Sequence, residues 1–249
     1  MWTLLHGFTG SPGSWSHVIS EGSFEAPPAV PWLLGHGPDW KSRAVDSFEE
    51  ECRRVQLRCA RRQRPRLLCG YSLGARVALG VLTLDPRLFD AAVLIGVHPG
   101  LDDAGERAQR REDDAVRAHA LRNDRLAAFV DRWEEMPLFA SQRGLPDTLL
   151  EKQREDRLAH DAEGLARALE VLGLAEMPSY GPGMASLDVP IILMTGSLDE
   201  KFSGLAQLLA ARHRNVAAEV VPGVGHNLLL EAPKAVAHTL KRAQGRALR

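Results

Sequence analysis

The sequence is short of cysteine, of long apolar runs and of net charge. Its 249 residues include three cysteines, Cys52, Cys59 and Cys69. Their spacing matches no metal site and an odd count leaves one over, so neither a zinc cluster nor a disulfide framework is expected. Reduced thiols and a cytoplasmic location are the default, with Cys69 a core residue of an apolar run. No stretch is long and apolar enough to span a bilayer. The opening "MWTLLHGFTG" has no basic region and its apolar run stops at His6-Gly7, so it does not read as a signal peptide. The net charge of −1 excludes nucleic acid or an anionic membrane held by bulk electrostatics. There are no internal repeats. "GFTGSPG" is glycine-rich but lacks a P-loop lysine. No cofactor and no metal are implied.

What is present is an ordinary apolar fraction, 45%, in a chain long enough for one large α/β domain or two small ones. Short apolar runs that end at turn chemistry read as buried parallel strands. They are "WTLL" at 2–5, "RLLC" at 66–69, "AAVLIG" at 91–96, "IILMTG" at 191–196 and "AAEVVPG" at 217–223. A weaker sixth is "VPWLLGHG" at 30–37, where Pro31 suits only a strand start or edge. Helical patterns fall at about 42–63, 74–84, 203–213 and 232–243. This alternation predicts a mainly parallel sheet with helices on both faces. The rhythm breaks from His98 to Leu187, which is rich in Arg, Glu, Asp, Ala and Leu. There Leu121, Leu126, Phe129 and Trp133 suit amphipathic helices. The expected layout is a core of 1–97 and 188–249 with a helical cap, 98–187, over the C-terminal strand ends, where open sheets bind ligands.

Gly70-Tyr71-Ser72-Leu73-Gly74 fits a nucleophile elbow, a serine on a tight turn between strand and helix. A serine hydroxyl needs an imidazole, and the imidazole needs an orienting carboxylate. Asp199 lies just beyond one strand and His226 in a glycine-rich loop after the next. The order Ser, Asp, His is the one such a fold uses. The plain alternatives are a surface loop histidine for His226 and a helix N-cap for Asp199, with Glu200 as the nearest rival acid. An oxyanion hole would take one N–H from Leu73 and one from the loop "HGFTGSPGSW", where Phe8 is the donor expected after the His6-Gly7 turn.

Together "LLHGFTGSPGSW", "GYSLGAR", "GSLDEKF" and "GVGHN" resemble the α/β-hydrolase superfamily over essentially the whole chain. "HPGL", "ERAQRREDD" and "WEEMPLFAS" narrow the resemblance to the SHCHC (2-succinyl-6-hydroxy-2,4-cyclohexadiene-1-carboxylate) synthases of menaquinone biosynthesis. The resemblance implies a lyase that eliminates pyruvate from a succinylated, enolpyruvyl-bearing cyclohexene carboxylate. It implies a small polyanionic substrate held by arginines at Arg76, Arg110 and Arg154, with Tyr71 and Trp133 at the pocket. Each arginine could instead be solvated or pair with a nearby acid at helical spacing. Trp133 and Phe139 could equally pack the cap helices. A monomer or weak homo-oligomer is expected.

The chain departs from the family pattern at several points. The leading β-hairpin is absent or much reduced. Gly35-His36-Gly37 survives from the usual D-x-P-G-H-G turn without its aspartate and proline. Glu134 stands where many relatives carry a tyrosine, and Leu198 where a charged residue is common. An inward Glu134 would disfavour a polyanion. Two other readings stand beside the lyase: a serine carboxylesterase on the same fold, and a catalytically silent binding scaffold, against which the intact Ser72, Asp199 and His226 argue.

Overall fold

The computed structural model describes residues 1–247. Five strands form one sheet in the order β1 (Trp2–Leu5), β2 (Leu67–Tyr71), β3 (Ala91–Ile95), β4 (Ile191–Gly196) and β5 (Val216–Val221). All four pairings are parallel. The first four strands are buried throughout, as continuous apolar runs between helical layers should be. Their side chains alternate between two cores. Leu5, Leu68, Ala92, Leu94, Ile191 and Leu193 meet α2 (Phe48–Ala60), α3 (Leu73–Leu84) and α8 (Glu200–Arg212) on one face. Trp2, Leu4, Leu67, Cys69, Val93, Ile95 and Met194 meet α1 (Ser16–Glu21) and α10 (Pro233–Ala247) on the other. All three cysteines are buried and unpaired.

The sixth expected strand, 30–37, is not a strand. Only Ala29 bridges to the edge of β1, through Leu4 N–H to Ala29 C=O at 2.8 Å and Ala29 N–H to Trp2 C=O at 3.0 Å. Beyond it the chain buries Leu33 and Leu34 as a loop. Its amides are satisfied by side chains instead of a ladder: Leu33 N–H donates to His6 Nε2 at 3.2 Å and Leu34 N–H to Glu51 Oε1 at 3.0 Å. The helix expected over 42–63 is shorter, because Ser47 caps α2 by accepting the Glu50 N–H.

Between β3 and β4 lie α4 (Ala104–Asn123), α5 (Leu126–Glu134), α6 (Asp147–Leu158) and α7 (Ala162–Leu172). Of these, α4, α5 and α7 share a small core of their own built on Leu121, Phe129, Val130, Leu165 and Leu169. Leu126 and Trp133 pack at its margin. A short tight helix, Pro137–Gly144, joins α5 to α6. The last helical turn before α10 is α9 (Leu228–Glu231). No helix of the described residues is long and apolar enough to cross a membrane.

Candidate active site

Ser72 sits between β2 and α3 with φ 53 and ψ −109, a backbone state that a non-glycine residue rarely holds. The turn closes only because its neighbours are glycines. A Cβ on Gly70 would lie 2.2 Å from Gly74 C=O, and one on Gly74 would lie 2.4 Å from Leu5 C=O. The projected hydroxyl lies 3.0 Å from His226 Nε2, and His226 Nδ1 lies 2.6 Å from Asp199 Oδ2. Histidine and aspartate are both buried. Asp199 occupies the N-cap position of α8, yet its carboxylate makes no cap bond there and goes to the imidazole. Glu200 is exposed on the surface. The imidazole is flanked by the rings of Tyr71 and Phe202, with centroids at 5.5 and 4.8 Å.

These groups open onto a cavity of about 280 Å³ beneath the helical insertion. Phe8 and Leu73 line it beside Ser72. Leu73 is the first residue of α3, so its N–H has no partner within the helix. Arg76, Arg110, Arg117 and Lys201 also line the cavity, against one carboxylate, Asp114. Asp114 is buried and accepts from Arg110 Nε at 2.8 Å and Arg117 Nη1 at 3.1 Å. Arg76 donates to Leu172 C=O at 2.7 Å. Burial, and then the neighbouring Arg110, pull its pKa down to about 9, which leaves it cationic at neutral pH. His98, in the loop that follows β3, accepts the Gly100 N–H through Nδ1. Burial first, then Lys201, Arg76 and Arg110, hold His98 down to about 4, so it is neutral in this positive field.

A second cavity of about 330 Å³ adjoins the first and shares Phe8, Tyr71 and Phe139 with it. Arg157 lines this one, 5% exposed, with its guanidinium 5.3 Å from the Phe139 ring centre. Arg154, one helical turn earlier, is among the lining residues of neither. It is held by Asp131 at 2.6 Å and Glu134 at 2.8 Å. Glu134 also binds Arg157 at 2.7 Å and stays out of the Ser72 cavity. Trp133 and Phe139 do both jobs weighed for them: their rings pack 5.8 Å apart and both line the Ser72 cavity.

The structure therefore brings Ser72, Asp199, His226, Phe8, Leu73, Tyr71, Arg76, Arg110 and Trp133 together and leaves Arg154 outside. Reading the sequence missed Arg117, Lys201, His98 and Arg157. His98 and Lys201 follow strand ends, which was the available signal. Arg117 lies seven residues after Arg110, on the same helix face.

The alpha/beta hydrolase family matches residues 4–239. The chain belongs to that family. Within this hydrolase family, it is 30% identical over 239 residues to a 2-succinyl-6-hydroxy-2,4-cyclohexadiene-1-carboxylate synthase of Serratia proteamaculans (strain 568), covering 95% of this chain and 90% of the relative. A Bacillus subtilis (strain 168) protein, 33% identical over 239 residues, carries the same name with a provisional qualifier; the match covers 92% of this chain and 85% of that one. Among solved structures, MenH of S. aureus superposes with a TM-score of 0.92 at 25% identity, over 100% of this hydrolase-fold chain and 94% of that chain.

Proposed function

We propose that the protein is a carbon–oxygen lyase that eliminates pyruvate from a succinylated, enolpyruvyl-bearing cyclohexene carboxylate, yielding 2-succinyl-6-hydroxy-2,4-cyclohexadiene-1-carboxylate. The observation that carries the reading is the charge of the cavity: four cationic side chains and a single acid around Ser72. A neutral ester has no use for that field, whereas a substrate with several carboxylates does. The names of the relatives point the same way.

In this reading His226 takes the Ser72 proton, and Asp199 holds the imidazole in the tautomer that can do so. The Ser72 oxyanion removes a ring proton. The electron pair delocalises onto the succinyl carbonyl oxygen, where the Phe8 and Leu73 N–H groups stabilise it. It then returns to form the ring double bond as the ring carbon–oxygen bond breaks. Enolpyruvate leaves, is protonated and becomes pyruvate. No water is consumed and no acyl-enzyme forms. Arg76 and Arg110 bind the substrate carboxylates and fix the ring over Ser72.

The test is pyruvate release from the enolpyruvyl substrate by purified protein, run beside nitrophenyl ester hydrolysis. Rapid pyruvate release with slow ester cleavage is expected. Negligible pyruvate with rapid ester cleavage overturns the proposal in favour of an esterase.

A further inference from the structure

Thr9, the residue after Phe8, holds φ 59 although it is β-branched, and it is buried. Such a residue keeps that conformation only where its surroundings over-determine it. Here both of its backbone polar groups are held by imidazoles. Thr9 N–H donates to His36 Nε2 at 3.1 Å, and His160 Nε2–H donates to Thr9 C=O, 3.2 Å away. Each ring is fixed from its other nitrogen. His36 Nδ1–H donates to Leu34 C=O at 2.8 Å, and His160 Nδ1 lies 3.5 Å from Gly37 N–H. The two rings stack edge to face with centroids 5.2 Å apart. His6 continues the row at 4.9 Å from His36, donating to Gly7 C=O and accepting the Leu33 N–H. One donor and one acceptor per ring is the pattern of neutral imidazole, and burial holds all three below their ordinary pKa.

We propose that His36 and His160 are positioning residues for the oxyanion loop. Between them they hold the Phe8–Thr9 and Thr9–Gly10 peptides. The Phe8 N–H belongs to the adjoining Gly7–Phe8 peptide, whose C=O accepts from His6, and anchoring the chain on its far side keeps that N–H aimed into the cavity. His36 comes from the core and His160 from the helical insertion, between α6 and α7. The insertion thereby sets the geometry of a loop that belongs to the sheet. The inference rests on the reading of Phe8 as an oxyanion donor. An N–H displaced by about 1 Å loses much of its effect on the transition state while substrate binding, which the arginines supply, is spared.

The experiment compares His160→Leu and His160→Gln with the unmodified full chain, by steady-state pyruvate release and by thermal unfolding. His160→Leu is expected to lower kcat by ~10–100-fold with KM changed by less than about threefold. His160→Gln carries an amide N–H that can reach Thr9 C=O and should recover kcat to within about threefold of the parent. Parental kcat in His160→Leu overturns the proposal, as does equal impairment of both variants. If His160→Leu fails to fold, His160→Asn replaces it: its shorter amide should lose kcat where glutamine does not, and equal kcat in the two overturns the proposal. A parent chain that releases no pyruvate overturns the elimination reading instead. The same variants are then read on a nitrophenyl ester, whose tetrahedral oxyanion requires the same loop.

Discussion

Ser72 has one proton to lose and one imidazole 3.0 Å away to take it. Ser72→Ala and His226→Ala should each lower kcat by ~10²–10⁴-fold, the range for losing a positioned acid–base group. Calorimetric affinity for the cyclohexadiene product should barely move, and a large loss of affinity would assign these residues to binding. The arginines should behave the other way. Arg76→Ala removes a guanidinium that reaches both Leu172 C=O and the cavity. It should raise KM and lower kcat together, by ~10–100-fold in kcat/KM. Parental kinetics in Arg76→Ala would remove that residue from the site. Arg154→Ala should leave kcat/KM near the parent, because its guanidinium is spent on Asp131 and Glu134 at a partly exposed position. Arg157→Ala should affect kcat/KM more than Arg154→Ala does. The reverse order would restore the assignment made from sequence.

The helical insertion is fastened where it leaves and rejoins the sheet. Arg107, in the first turn of α4, donates to Ala175 C=O at 2.6 Å and Met177 C=O at 2.8 Å, beyond the end of α7, and also to Leu101 C=O. Arg107→Ala strands these carbonyls, at a cost of about 2–4 kcal/mol for lost charged hydrogen bonds. That corresponds to a fall in Tm of several degrees in a protein of this size, read by calorimetry. An unchanged Tm would show that water replaces the clamp. At this scale the elements were largely legible beforehand. Apolar runs that end in glycine turns marked all five strands, and the groups at strand ends, Ser72, Asp199 and His226, were legible with them. What lay beyond reach depends on how elements sit against each other. Residues 30–37 have a strand's apolar content, but His6 and Glu51 take their amides, and those partners are distant in sequence. Arg154 and Arg157 lie a turn apart among the same acids, and only the placement of Arg157 over the Phe139 ring, in a cavity it shares with Phe8, Thr9 and Gly10, selects the second.

Across the whole molecule, the row of buried neutral histidines makes stability depend on pH. Burial lowers His6 to about 3, His36 well below its ordinary value, and His160 in the same direction. In the unfolded chain these rings titrate near the usual ~6.5. Below that pH the unfolded state binds more protons than the folded one, so stability rises with pH. The contribution is fully present above ~6.5 and drains as pH falls toward the folded values. Each such ring contributes roughly 1 kcal/mol per pH unit across its window. Glu163, held below its ordinary value by Arg122, adds a loss of the same sign, but only near the carboxylate range. The interval from about pH 6.5 to 5 therefore isolates the histidines. Urea unfolding followed across it should show a steady decline in stability, shallower in His160→Gln because one titrating ring is gone. A flat profile between those values would mean that the rings are protonated in the folded protein, which their bonds to the Thr9 and Leu33 N–H groups forbid.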